Sequence, residues 1–182
     1  MAILDDFLDR IELLNDDFMW YNYKNSPATI EQIEDYERSY GISFNEEVKT
    51  FLLSLGAVIL EVEEKIWPRP QEYDVVPAWE FGYGMFIYGL SSDKDMLSWL
   101  TYDEKYKETA SSGKGDYGQM FYKRSGNLYR AYINSEGIIT VLENGIKEEG
   151  IIFDGNFYDF LINEIDKLEE DYKDYIKKHY NK

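Results

Sequence analysis

A chain of 182 residues fits one domain, and 44% hydrophobic with 17% aromatic residues gives ample material for a core, the opposite of a disordered composition. A net charge of −17 argues against a phosphate-backbone binder, which needs clustered Lys and Arg, and equally against attraction to an anionic membrane surface. With no cysteine, disulfides, thiolate zinc sites and Cys nucleophiles are excluded, which suits the cytoplasm.

The first segment, MAILDDFLDRIELL, lacks the basic start and uninterrupted apolar run of a signal peptide, and no run approaches the length that spans a bilayer. Ile3, Leu4, Phe7, Leu8, Ile11, Leu14 and Phe18 fall at helical spacing, so the spacing predicts one amphipathic helix through Phe18. Asp5, Asp6, Asp9, Glu12, Asp16 and Asp17 would form its outer face. Residues 1–80 hold 18 acidic and 6 basic side chains, a balance of −12, and residues 81–182 carry the remaining −5. The negative field belongs mostly to the N-terminal half.

The next unit starts either at Ser26-Pro27 or at Thr29, which can form a capping box with Gln32. Ile30, Ile33, Tyr36 and Tyr40 line one helical face, and Gly41 provides the left-handed stop. Asn45 is a good N-cap for a second helix with Val48, Phe51, Leu52 and Leu55 inward and Gly56 at its end. The period then changes. Val58, Leu60 and Val62 alternate with Ile59, Glu61 and Glu63 as in a strand with one solvated face.

Trp67-Pro68-Arg69-Pro70 breaks that strand and residues 71–83 read as a loop. Gly84 to Leu90 reads as a buried strand. Ser92 and Asp95 open a helix carrying Met96, Leu97, Leu100 and Tyr106, and residues 108–116 read as a small, polar, glycine-rich segment. Strands follow at Tyr117–Lys123, Leu128–Ile133 and Ile138–Leu142, with one or two more within Ile146–Phe153. They are separated by Ser125-Gly126-Asn127, Asn134-Ser135-Glu136-Gly137 and Asn144-Gly145, the last a strong hairpin signal. Asp154-Gly155-Asn156 caps a long final helix whose inward residues are Phe157, Phe160, Leu161, Ile165, Leu168, Tyr172 and Ile176.

The predicted class is α+β: N-terminal helices, a mostly antiparallel central sheet with an inserted helix, and a long C-terminal helix. No catalytic set emerges. The single His179 is close to the last residue, and 36 acidic side chains produce carboxylate pairs by chance. Asp93 and Asp95 are ordinary caps at a helix start. Ser112-Gly113-Lys114-Gly115 lacks the spacing of a phosphate loop, and Gly82-x-Gly84 lacks the third glycine of a dinucleotide fingerprint. No metal or cofactor is expected.

The helix pair with Glu37, Gly41-Ile42-Ser43-Phe44, Val48-Lys49, Phe51-Leu52 and Gly56 resembles the SUKH superfamily, named for the yeast Smi and Knr cell-wall regulators and their bacterial relatives. Ile87-Tyr88-Gly89-Leu90 is similar to that family's Ile-x-Gly-Leu strand, and Phe157-Tyr158-Asp159-Phe160-Leu161 to its closing helix. Ser43 and Ala57 stand where Pro and a second Gly are common. The resemblance implies one SUKH-like domain over 1–182, with an acidic helix and connector in 1–25, a core in 26–165 and a helical extension in 166–182. It carries no catalytic residues over.

What it implies is a non-enzymatic binding module, an immunity protein that neutralises a cognate polymorphic toxin. A basic nuclease domain is the expected partner, because a nuclease surface must attract phosphates and an acidic protein is steered toward it. The expected contacts are Glu61, Glu63, Glu64, Trp67, Glu72, Asp74, Trp79 and Glu80, since Trp beside carboxylates suits protein recognition. Two alternatives stand beside this: a regulatory or scaffold module acting on a host protein, and an enzyme with an unrecognised carboxylate site.

Overall fold

A computed structural model of the chain describes residues 1–22, 27–67, 83–90, 101–102, 117–124, 129–143 and 150–180. The elements run α1 (Leu4–Glu12), β1 (Phe18–Asn22), α2 (Ile30–Tyr40), α3 (Glu46–Ser54), β2 (Val58–Val62), β3 (Gly84–Ile87), β4 (Thr101–Tyr102), β5 (Gln119–Arg124), β6 (Tyr129–Ile133), β7 (Ile139–Glu143), β8 (Ile151–Phe153) and α4 (Phe157–His179). Every strand pair is antiparallel, in the order β1-β2-β3-β5-β6-β7-β8, with β4 also paired to β5. The fold is α+β with a long C-terminal helix. Among the described residues no helix is long and apolar enough to cross a membrane.

The helix termini follow their local chemistry. Thr29 is the N-cap of α2 and forms the capping box with Gln32, so the later of the two starts holds. Gly41 closes α2 at φ 63°, the left-handed region that costs glycine least. Asn45 caps α3 through the Val48 N–H, and Asn156 caps α4 in a capping box with Asp159. Ile33 and Tyr36 face inward from α2, whereas Ile30 and Tyr40 are exposed.

The first helix is shorter than its spacing predicts. It ends at Glu12, and Phe18 begins a strand. Asn15 makes the break: its side-chain oxygen accepts the Asp17 N–H at 3.0 Å and its carbonyl accepts the Phe18 N–H at 3.1 Å. Asn offers the backbone a turn in place of the next helical bond. The aromatic run Phe18-Met19-Trp20-Tyr21 then favours an extended strand. Thr101 and Tyr102 lie in a strand, so they are not part of the inserted helix; Ser92 to Leu100, Tyr106 and the segment 108–116 lie outside the described residues.

One core joins the helices to the sheet. Phe7 of α1 meets Phe51 of α3, Phe51 meets Phe157 of α4, and Phe157 meets Phe121 of β5, with ring centroids 5.1–6.3 Å apart. Against β6, the β5 register slips between Met120 and Tyr122, leaving Phe121 as the extra residue of a bulge. A bulge re-aims side chains, and here the consecutive Phe121 and Tyr122 both reach Phe160, at 5.3 and 5.2 Å. Gly118, just before β5, has φ 75°, and a Cβ there would sit 2.0 Å from the Ile133 carbonyl oxygen. Only glycine allows that approach.

Candidate protein-binding surface

Four of the eight expected contact residues are described, and the Trp67 N–H bonds the Glu63 carbonyl at 3.1 Å. Glu61 is not on a solvated strand face: all five residues of β2 are buried, and Glu61 is only 8% exposed. The Tyr21 hydroxyl reaches its carboxylate at 3.5 Å. Glu63 is half-buried and ion-paired with Lys65, whose own pKa is raised by that hydrogen bond and charge. Glu64 is exposed. Glu72, Asp74, Trp79 and Glu80 lie outside the described residues.

Trp67 is part of a ladder of rings. It stacks on Tyr83 at 4.5 Å and on Tyr175 of α4 at 4.6 Å, and Tyr175 stacks on His179 at 4.4 Å. His179, expected near a frayed end, is held in the last turn of α4. The Tyr180 hydroxyl adds a bond to the Ile66 carbonyl at 2.9 Å. The ladder forms one wall of an open groove of about 620 Å³ between α4 and the sheet, with Arg124, Tyr129, Glu164 and Lys167 on its floor and sides.

That floor is committed to the fold. Glu164 is 1% exposed and accepts from the Tyr122 hydroxyl at 3.0 Å, the Tyr129 hydroxyl at 2.8 Å, Lys167 at 2.9 Å and Asn163 at 3.2 Å. These four donors satisfy the carboxylate that α4 buries. Burial, and then the Glu164 charge, push the Tyr122 and Tyr129 pKa values up, which keeps both hydroxyls as donors. Arg124, mostly buried, pairs with Asp171. Among the described residues no group of His, Cys, Asp and Glu is arranged to hold a metal ion.

A second surface lies at the other end of the sheet. β1 is its last strand, and Met19 and Trp20 are each 41% exposed. Leu13, at the end of α1, is 78% exposed. Asp16 is exposed in the turn before β1, Glu64 is brought beside that turn by the β1–β2 register, and Asp5, Asp6, Asp9 and Glu12 are exposed on α1. Trp20 is not among the residues singled out from the sequence. The signal available was an aromatic run just after an Asn-Asp-Asp turn, which is a strand start rather than a helix end.

No family model and no curated protein matches this chain.

The geometry therefore separates two kinds of surface. The groove along α4 holds paired charges and stacked rings whose polar groups bond one another. The β1 end combines carboxylates with exposed Trp and Met, residue types enriched at protein interfaces.

Proposed function

We propose that this protein is a non-catalytic binding module that neutralises a cognate toxin, a basic nuclease domain, by covering its phosphate-binding surface. The observation that carries the reading is the run of exposed carboxylates on α1 and in the following turn, which leads along the chain into the exposed Met19 and Trp20 of β1. Carboxylates steer a basic partner into encounter, and exposed apolar side chains hold it once docked. The resemblance of the α2–α3 helix pair, the Ile87–Leu90 segment and the start of α4 to SUKH immunity proteins supports the same reading. The site of action would be the cytoplasm, where a nuclease meets its nucleic acid.

The test is rescue. Cells expressing the toxic domain encoded beside this protein should survive when the protein is co-expressed. Reversing Asp9, Glu12 and Asp16 to Lys should slow association at least tenfold and flatten its salt dependence. Capture of a housekeeping or envelope-related protein in place of a toxin would replace this reading with a regulatory one.

A further inference from the structure

The backbone of β1 carries information that its side chains do not. The Glu63 N–H donates to the Asp17 carbonyl at 2.8 Å, and the register continues Phe18↔Val62, Met19↔Glu61, Trp20↔Leu60, Tyr21↔Ile59 and Asn22↔Val58. In an antiparallel ladder the bonded pairs alternate. Asp17, Met19 and Tyr21 therefore turn their peptide groups toward β2, and Trp20 and Asn22 turn theirs outward. The Phe18 N–H is taken by Asn15, but its carbonyl also faces out. Among the described residues no strand lies on that side of β1.

Natural sheets guard such edges with lysine, proline, bulges or very short strands. β8, the opposite edge, is guarded by its length of three residues. β1 has five, FMWYN, with no lysine or proline and an unbroken register against β2. It presents about 17 Å of straight edge. The edge is also asymmetric in charge. Asp16, Asp17, Glu63 and Glu64 gather at its N-terminal end, with Lys65 as the neighbouring cation.

We propose that β1 is a strand-addition site. It takes an extended, basic segment of a protein partner, which pairs with the outward peptide groups of Trp20 and Asn22. Alternate apolar side chains of that segment lie against Trp20 on one face and Met19 on the other. Its Lys or Arg residues meet the carboxylates at the Asp16 end. Charge decides between this occupant and a second copy of the chain, since a net −17 per copy opposes self-pairing. Main-chain bonds would supply affinity and the flanking side chains selectivity. This inference rests on the protein-binding reading and names where and how the partner engages.

The probe is a short, end-capped synthetic peptide alternating Val with Lys and Thr, added to the whole protein. Amide hydrogen exchange is read residue by residue. The Trp20 and Asn22 amides should gain at least tenfold protection. A peptide of the same length with alternate prolines should give none, and a Glu-for-Lys peptide much less. Two variants check the site: Met19→Lys, which adds an edge guard, and Trp20→Pro, which removes an outward donor together with the indole. Each should weaken peptide binding at least tenfold and leave the urea midpoint unchanged.

Unchanged exchange at Trp20 under saturating peptide would overturn the proposal. So would protection confined to the α4 groove, or a dimer of the protein that Met19→Lys dissociates. The peptide experiment needs no toxin, so failure to find one bears on the function alone. A captured toxin that leaves the Trp20 amide unprotected would sink the edge and keep the function.

Discussion

The α4 seam and the β1 edge are built from similar residue types and use them in opposite ways. Along α4, aromatic rings and carboxylates face inward. Glu164 collects four donors, Arg124 pairs with Asp171, and Trp67 is stacked between Tyr83 and Tyr175. At β1, a Trp and a Met are each 41% exposed, beside the exposed carboxylates of Asp16 and Glu64. The contrast teaches that tryptophan beside acids is not by itself a recognition signal. What separates the two is whether the indole is sandwiched between other rings or lies exposed at a strand edge.

The contrast can be broken from the α4 side first. Phe160 is fully buried against Phe121, Tyr122 and Phe153, so Phe160→Ala should cost about 3–5 kcal/mol in urea unfolding. Glu164→Leu should cost less, about 1–3 kcal/mol, because it strands the buried Tyr122 hydroxyl. Adding Tyr122→Phe should then recover much of that loss, since removing both partners leaves no orphaned group. A double mutant as unstable as the single would contradict the pairing.

The seam should also show in the pH dependence of stability. The raised pKa values of Tyr122 and Tyr129 make their contribution full below the ordinary tyrosine range. It is lost as pH rises through the folded values, so an alkaline limb should appear that Tyr129→Phe diminishes. Asp159 is lowered by its hydrogen bond from the Asn156 backbone, and Glu169 by its bond from Lys173. Their contribution is present above the ordinary carboxylate range and is lost as pH falls through the depressed values. Asp159→Asn should shrink that acid limb. Urea midpoints across pH measure both.

The smallest effect on stability belongs to the edge. Trp20→Ser should change the unfolding free energy by no more than about 0.5 kcal/mol, as exposed positions do. It should nevertheless weaken capture of the partner at least tenfold, measured by surface binding kinetics. Loss of stability without loss of binding would reverse the assignment of the two regions.

Much of the scaffold is legible in the sequence because its signals are local. Thr29, Gly41, Asn45 and Asn156 cap or stop helices through bonds within a few residues, and Asn134 and Gly137 turn β6 into β7. What local reading misses depends on distant partners. Phe18 follows Leu14 at helical spacing and yet pairs with Val62 in a sheet. Glu61 alternates like a solvated residue and is buried, because neighbours on both sides cover β2. Glu164 reads as one more surface acid of a charged helix until Tyr122 and Tyr129 come together beneath it. Trp67 falls at the start of a proline-containing loop in the sequence, and only the return of α4 supplies its stacking partner.

The docking of α1 on α4 has a consequence for how the chain is made. Arg10 bonds Asp166 and Glu169, the Ala2 N–H bonds Asp159, and Tyr172 bonds Asp17. These contacts join residues more than 150 positions apart. On a translating ribosome α1 is made before the sheet and its partner helix after it, so α1 waits undocked while the whole sheet is synthesised. Closure of the fold therefore waits on α4 and carries a large loop-closure cost. During that interval the acidic segment stands beside an incomplete sheet, where like charge opposes association between nascent chains.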